Sequence, residues 1–305
     1  SLKNKGFEFD VKVDIIKNTQ KDLTWDFDFN VARNITTLEK LNSEDEYFGG
    51  GAYQYFKIDV GGKTGILYGY KYGGRLIRTN EELVALKTIN PETGQQQYYR
   101  DENNYERPGD LYIMDLDGDG QITADGDRTE IGNANPDFFG GFGTTLYWKG
   151  LMVNATFTYS VGADRFYDEE KSSAGDMNVY NTSKNTLKSW TMNPGVDRGY
   201  PRAMYYDWGS NSIITNRYVH DASFLRLSAL NISYRLPKQL FGSSIVDAID
   251  LTFQATNLFT WTKYPGMDPQ GNFSTSYSAF YNMGIDYSSY PSARTYNVGI
   301  KITLK

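Results

Sequence analysis

Apolar and charged residues alternate without a break from Phe7 to Ile15: Phe7, Phe9, Val11, Val13 and Ile15 stand against Glu8, Asp10, Lys12 and Asp14. A two-residue period places each set on its own side of a β-strand, whereas a helix would scatter both around its circumference. Six more runs repeat the rhythm less purely. Leu23, Trp25, Phe27, Phe29 and Val31 oppose Thr24, Asp26, Asp28 and Asn30. Phe138, Phe142, Leu146 and Trp148 share one face of the third run. Leu151, Val153, Ala155, Phe157 and Tyr159 oppose Asn154, Thr156, Thr158 and Ser160 in the fourth. The fifth ends on Leu230, Ile232, Tyr234 and Leu236, but Leu225, Arg226 and Leu227 at its start are out of phase, which predicts a bulge or a stretch above the membrane. Ile249, Leu251, Phe253 and Ala255 mark the sixth, and Tyr296, Val298, Ile300, Ile302 and Leu304 the seventh.

The connections alternate in length. Asn18–Asp22, Lys149-Gly150 and the link from Pro237 to Asp247 are short or modest; roughly 37–136, 163–222 and 262–292 are long. A lysine or arginine facing lipid at mid-membrane costs about 2–4 kcal/mol, and one face of each run has none in its middle. The pattern predicts an all-β fold: the wall of an antiparallel transmembrane β-barrel, with its polar face toward a watered or plugged lumen. Short turns belong to the periplasmic side of such barrels and long loops to the extracellular side, so the C-terminus falls at the periplasmic rim. Seven is an odd number of strands, so the rest of the wall is expected upstream or on another chain. Tyr53–Val60 and Ile66–Tyr72 are candidates for further strands inside the first long connection.

Composition narrows the function. The 305 residues include 25 Tyr, 17 Phe and 5 Trp, a load that suits interfacial girdles and stacking loops. Trp25, Trp148, Tyr159, Tyr234 and Trp261 fit the girdles. No run approaches the roughly 18 apolar residues of a spanning helix. Cysteine is absent, which excludes disulfides, thiolate metal sites and cysteine nucleophiles. With His220 the single histidine, imidazole metal clusters and Ser-His-Asp chemistry are set aside, and His220 itself reads as a lone surface or loop residue. A net charge of −6 without a basic block argues against nucleic acid. Gly49-Gly50-Gly51, Gly61-Gly62 and Gly73-Gly74 lack the lysine and the strand–helix setting of a phosphate loop. The chain opens at Ser1 without a methionine or signal segment and enters a strand within six residues, so it reads as a C-terminal piece of a longer exported protein or as a chain given without its front.

Two groups of residues are candidates for binding. Asp115, Asp117 and Asp119, followed by Gly120, repeat the first half of an EF-hand-type Ca2+ loop, with Gln121 and Thr123 at its seventh and ninth positions. The twelfth position is Gly126, but a one-residue insertion brings Asp127 into play. An ion there would pin a loop; the bland alternative is a solvated Asp/Gly turn. Tyr205, Tyr206, Trp208, Tyr277 and Tyr281 lie in the long loops with Tyr98, Tyr99, Phe280, Tyr287 and Tyr290; their rings suit sugar faces, peptide side chains or a lid protein. The inward acids Asp10, Asp14, Asp26 and Asp28 face cargo, plug or water. A soluble carbohydrate-binding or glycoside-hydrolase module, and a non-transporting adhesin or structural barrel, are the alternatives from other classes.

One block is more specific. Pro108-Gly109-Asp110-Leu111-Tyr112 leads into Asp115–Ile122, then Asp127-Arg128, Ile131-Gly132-Asn133, Asn135-Pro136-Asp137-Phe138 and Gly140-Gly141. It resembles the hallmark of the SusC/RagA-type TonB-dependent outer-membrane transporters of Bacteroidetes. Gly69-Tyr70-Lys71, Trp190-Thr191, Tyr200-Pro201-Arg202, Phe224–Leu227, Asn231–Pro237, Asn257-Leu258-Phe259, Gly266–Pro269 and Tyr290-Pro291 match in order, so the resemblance covers essentially the whole chain. It implies the C-terminal portion of a 22-stranded barrel, whose plug and TonB box lie outside this sequence. It implies a SusD-like surface lipoprotein as lid, energy from the TonB–ExbB–ExbD complex, outer-membrane lipid around the wall, and oligosaccharide or oligopeptide cargo without covalent chemistry. The family's last strand commonly ends in an aromatic residue; here the chain ends Thr303-Leu304-Lys305.

Overall fold

The structure is a computed structural model and describes residues 1–41, 46–49, 56–86, 88–89, 96–97, 107–174, 181–191, 199–205, 211–242, 245–271, 283–287 and 289–305. Its frame is one seven-stranded sheet, every strand antiparallel to its neighbours and adjacent in chain order. The strands are β1 (Leu2–Asn18), β2 (Leu23–Leu38), β3 (Phe138–Trp148), β4 (Leu151–Val161), β5 (Phe224–Arg235), β6 (Val246–Thr262) and β7 (Thr295–Leu304). β3 and β4 have 11 residues each, the length that a tilted strand needs to cross a membrane.

The pairing carries one partition of faces through all seven strands. Phe9 sits opposite Val31, Val31 opposite Gly140, and Gly140 opposite Tyr159; Val153 sits opposite Ile232, Ile232 opposite Phe253, and Phe253 opposite Val298. The apolar face lies open: Phe9 is 55%, Ile300 68% and Val298 84% exposed, and Phe27 and Phe253 are half-buried. A soluble sandwich would have closed a second sheet over them.

Two polar groups on that face are satisfied within the wall. The Trp25 indole donates to the Thr144 hydroxyl (2.8 Å), which donates to the Asp26 carbonyl (3.2 Å). The Tyr159 hydroxyl crosses Gly140 to donate to the Asn30 carbonyl (2.9 Å). A Cβ at residue 140 would lie 2.2 Å from that carbonyl oxygen, so glycine makes the crossing possible.

The phase slip in β5 is a bulge. Ser228 is the unpaired residue between Leu227 and Ala229, and at the same level β6 carries Asn257 and Leu258 as extra residues. Asn257 takes a left-handed φ of 51°, and its side chain donates to the Ala293 carbonyl (3.0 Å). β1 departs from the expected run: its register slips between Asp14 and Ile16, so Ile16, not Ile15, pairs with Trp25. At one end the strands are joined by tight turns. Lys149 (φ 49°) and Gly150 (φ 85°) form a two-residue hairpin of the primed kind that suits strand twist. At the other end the long connections emerge.

These connections are folded. Phe56–Asp59 and Ile66–Tyr70 are strands, but they belong to a four-stranded loop sheet completed by Glu46–Gly49 and Arg128–Asn133, not to the wall. Asp164–Tyr167 in the second connection pairs with Val219–Asp221 and with Ile285–Asp286 of the third. The hydrophobic core lies here: Phe56, Leu67, Leu76, Leu111, Ile113, Ile122, Phe166, Ile214, Tyr218 and Ile285 pack together, every one from a loop. The wall's greasy residues face outward and the loops' face one another.

Candidate functional site

The inner face of the wall changes character from strand to strand. On β1 and β2 it is acidic: Lys12 pairs with Asp28, but Asp14 stands directly opposite Asp26, an unfavourable like-charge pair unless water or a cation screens it. Asp28 leans over β3, where a Cβ at residue 143 would meet its carboxylate at 2.5 Å. On β3 and β4 the lining is uncharged, and it is hydrogen-bonded sideways into β5. Asn231 donates to the Asn154 side-chain oxygen (3.1 Å), and Asn154 donates to the Thr145 hydroxyl (2.9 Å).

Above this face, buried ion pairs staple the loops. Asp110 is fully buried; Arg202 donates to it through Nε (2.6 Å) and a terminal nitrogen (3.2 Å), and the Asn211 side chain adds a third bond (2.9 Å). Gly109 (φ 98°) lies so close to Trp190 that a Cβ would meet its ring at 2.4 Å. Pro108-Gly109-Asp110, Trp190 and Tyr200-Pro201-Arg202 thus form one joint between the first and second loops. A second joint sits at the top of the inner face. Arg226 of β5 donates to Asp268 (2.6 Å), to the Thr260 hydroxyl (3.0 Å) and to the Gln270 side chain (2.8 Å). Burial pushes the Asp268 carboxyl up, but the Gln270 and Ser292 N–H groups and Arg226 outweigh it and hold its pKa below the ordinary carboxylate value. In the third joint the buried Tyr264 hydroxyl donates to Asp286 (2.8 Å); burial first, then that bond, raise its pKa far above the phenol range.

A polar cleft of ≈ 310 Å³ opens where the second and third loops meet, with Tyr167, Glu170, Asn185, Tyr200, His220 and Lys263 among its walls. His220 is no solitary surface residue. Its Nε2 lies 2.6 Å from Glu170, and its ring packs edge-on against Tyr167 and Tyr264. Tyr200 donates to the other Glu170 oxygen (3.2 Å). Burial, and then the nearby glutamates, raise the pKa of both Tyr167 and Tyr200. The cleft presents donors, acceptors and ring faces together, which suits a polar ligand.

The aspartate loop converges in part. Carboxylate oxygens of Asp115, Asp117 and Asp127 lie within 4.8 Å of one another. Asp127 is fully buried and accepts the N–H groups of Leu116 (2.6 Å) and Thr123 (2.7 Å). Gly126 admits Asp117, since a Cβ there would meet its carboxylate at 2.1 Å. Asp119 instead accepts the Gln121 N–H (2.7 Å), and the Thr123 hydroxyl caps the turn at the Gly126 N–H (3.0 Å). Three carboxylates are oxygen donors of the kind that a hard divalent cation takes.

Of the loop aromatics, Tyr205 is 61% exposed; Tyr206, Trp208, Tyr277 and Tyr281 lie outside the described residues, as do Tyr98, Tyr99 and Phe280. Arg202, Arg226, Asp268, Asp286 and Glu170 carry the architecture of the loop end, yet sequence inspection did not single them out by role. Their only signal was membership of short motifs.

Comparison with known proteins identifies the frame. The chain is 32% identical over 311 residues to TonB-dependent receptor P3 of Formosa agariphila, covering 99% of the chain and 28% of that protein. Over its whole length it matches the C-terminal part of TonB-dependent receptors, SusC and the RagAB transporter among them. It is also 25% identical over 304 residues to TonB-dependent receptor SusC of Bacteroides thetaiotaomicron, covering 99% of the chain and 26% of that receptor. No family model matches. Among solved structures, that of the RagAB peptide transporter superposes with a TM-score of 0.68 at 24% identity, over 99% of this chain and 29% of that one. The chain thus spans less than a third of each of these relatives, and the stretch it matches is their C-terminal part. TonB-dependent receptors are outer-membrane β-barrels, a class in which the apolar wall face meets lipid and the polar face lines the lumen.

Proposed function

We propose that this chain supplies the C-terminal wall and loops of an outer-membrane importer for oligosaccharides or oligopeptides. The carrying observation is the two-faced wall, apolar and uncovered on one side, hydrogen-bonded and polar on the other, and roofed by folded loops. The loops face the cell exterior and the tight turns and C-terminus face the periplasm. Cargo is held beneath a SusD-like lipoprotein, with Tyr205, Tyr206, Trp208, Tyr277 and Tyr281 among its contacts. Energy arrives through TonB–ExbB–ExbD acting on the plug. Kinship with a peptide importer favours oligopeptides. Asp115, Asp117 and Asp127 hold Ca2+ and fix the aspartate loop, with no part in chemistry.

The test is uptake of labelled oligopeptides and oligosaccharides by cells expressing the full-length protein, with and without TonB and the lid lipoprotein. Accumulation that needs both is the expected result. Recovery of the full-length protein from the soluble periplasm, or uptake indifferent to TonB, overturns the proposal.

A further inference from the structure

The lipid face of the seven strands carries three charged side chains at paired positions, and all three are basic. They are Lys3, Lys5 and Arg33, grouped at the loop end of β1 and β2. Lys5 pairs with Ile35, and Arg33 with Phe7, so Lys5 and Arg33 are diagonal neighbours on one face, roughly 7–8 Å apart by strand geometry. Lys3, two residues on, is answered by Glu39 at 3.2 Å. Lys5 is exposed and has no ion-pair partner among the described residues. Arg33 lies over the Phe138 ring, 5.6 Å from its centre, and Phe138 packs against Phe7 at 6.5 Å. At the turn end the strand positions facing lipid carry no cation; the nearest, Lys149, belongs to the turn and rests on Trp148.

We infer that Lys5 and Arg33, with Lys3 above them, clasp the phosphate of an anionic membrane lipid whose acyl chains lie along Phe7, Phe9 and Phe138. A cation on this face is costly at mid-membrane and nearly free at the interface, so these residues mark the level of the headgroups. A carboxylate on the same face would have served a lone structural cation, yet no paired strand position there carries one. The aromatic shelf holds the Arg33 guanidinium in place, which leaves its donors free for a planar, doubly hydrogen-bonded oxyanion. The inference rests on the reading that this face meets lipid.

The experiment uses the full-length protein in phosphatidylcholine nanodiscs doped with a phosphate-bearing glycolipid or with the same glycolipid after removal of its phosphate. Native mass spectrometry counts the glycolipids retained. The wild type is expected to enrich the phosphorylated form, and K5Q/R33Q to lower that enrichment about 25-fold, at about fivefold per cation. K12Q, on the inner face, leaves it unchanged. Inorganic phosphate does not compete; competition by it would make the ligand a free anion and overturn the lipid assignment. Equal retention of both glycolipids by the wild type, or an equal loss in K12Q, refutes the clasp. Loss of lid-protein binding in K5Q/R33Q with glycolipid retention intact reassigns the patch to a protein partner and refutes it too. Failure of the wild type to enter any nanodisc instead strikes at the importer reading itself.

Discussion

Replacing Asp110 by alanine tests whether the loops are an independent folded unit. The substitution removes a fully buried carboxylate that accepts from Arg202 twice, from Asn211 and from the Arg107 N–H (2.8 Å). Arg202 keeps its charge with only 13% of its side chain exposed. Breaking such a pair from one side costs about 3–5 kcal/mol. At about 1.4 kcal/mol per factor of ten, loop opening becomes roughly 150- to 4,000-fold more frequent. Amide hydrogen exchange reads this directly. The informative amides are Gly109, bonded to the Ile77 carbonyl (2.6 Å), Ile77, bonded to the Asp110 carbonyl (2.8 Å), and Arg202, bonded to the Gly109 carbonyl (2.8 Å). They should accelerate by that factor while the amides of β3 and β4 keep their wild-type rates. The double variant Asp110→Leu with Arg202→Met should recover most of the loss, because it leaves no unpaired charge behind. Acceleration below about tenfold, or equal acceleration in the wall, refutes the reasoning: the first means that the joint carries no load, the second that wall and loops open together.

Other outcomes follow from the geometry. Phe253→Arg should destabilise the barrel in liposomes by about 2–4 kcal/mol in denaturant unfolding, whereas Gln254→Arg, one residue away on the inner face, should cost far less. Thr144→Val strands the Trp25 indole N–H in the lipid face and should cost about 1–3 kcal/mol in the same assay. Tyr264 keeps its proton in the folded state, while an unfolded tyrosine loses it near 10.0. Its contribution is therefore complete below that value and lost as pH rises beyond it. Protection of the 264–271 amides, measured against the intrinsic base-catalysed rate at each pH, should fall above pH ~10 in the wild type but not in Tyr264→Phe. Asp268 has the opposite sign: its pKa is lowered, so its contribution stands above the ordinary value of 3.8 and fades as pH falls through the lower folded value. Terbium luminescence at the aspartate loop should be displaced by Ca2+ and abolished in Asp127→Asn; an undiminished signal in that variant rules out the three-carboxylate site.

The wall was legible in the sequence because its physics is local. Each strand announces itself through alternation, and the shift in phase at Leu225–Leu227, which fitted a bulge or a stretch above the membrane, proves to be the bulge at Ser228. The slip at Asp14–Ile16 escaped notice because Ile15 and Ile16 are both apolar, so either fits the outward run. Strands in the loops were harder: Phe56–Asp59 and Ile66–Tyr70 showed as runs, but nothing in them tells a loop sheet from a wall. The joints were out of reach, since Asp110 meets Arg202 across 92 residues and Arg226 meets Asp268 across 42. Charge pairing at such separations leaves no periodic trace. The rim cations Lys5 and Arg33 sat in plain view, but only the β1–β2 register shows that they share a face.

The loop core has a consequence for how such receptors diversify. Leu111 and Ile113 come from the first connection, Phe166 and Tyr218 from the second and Ile285 from the third, all in a single cluster. A chimera that exchanges one connection between relatives inherits mismatched halves of a jigsaw. Recombination that preserves folding must move all three segments as one cassette, onto strands that keep Arg226 to meet Asp268.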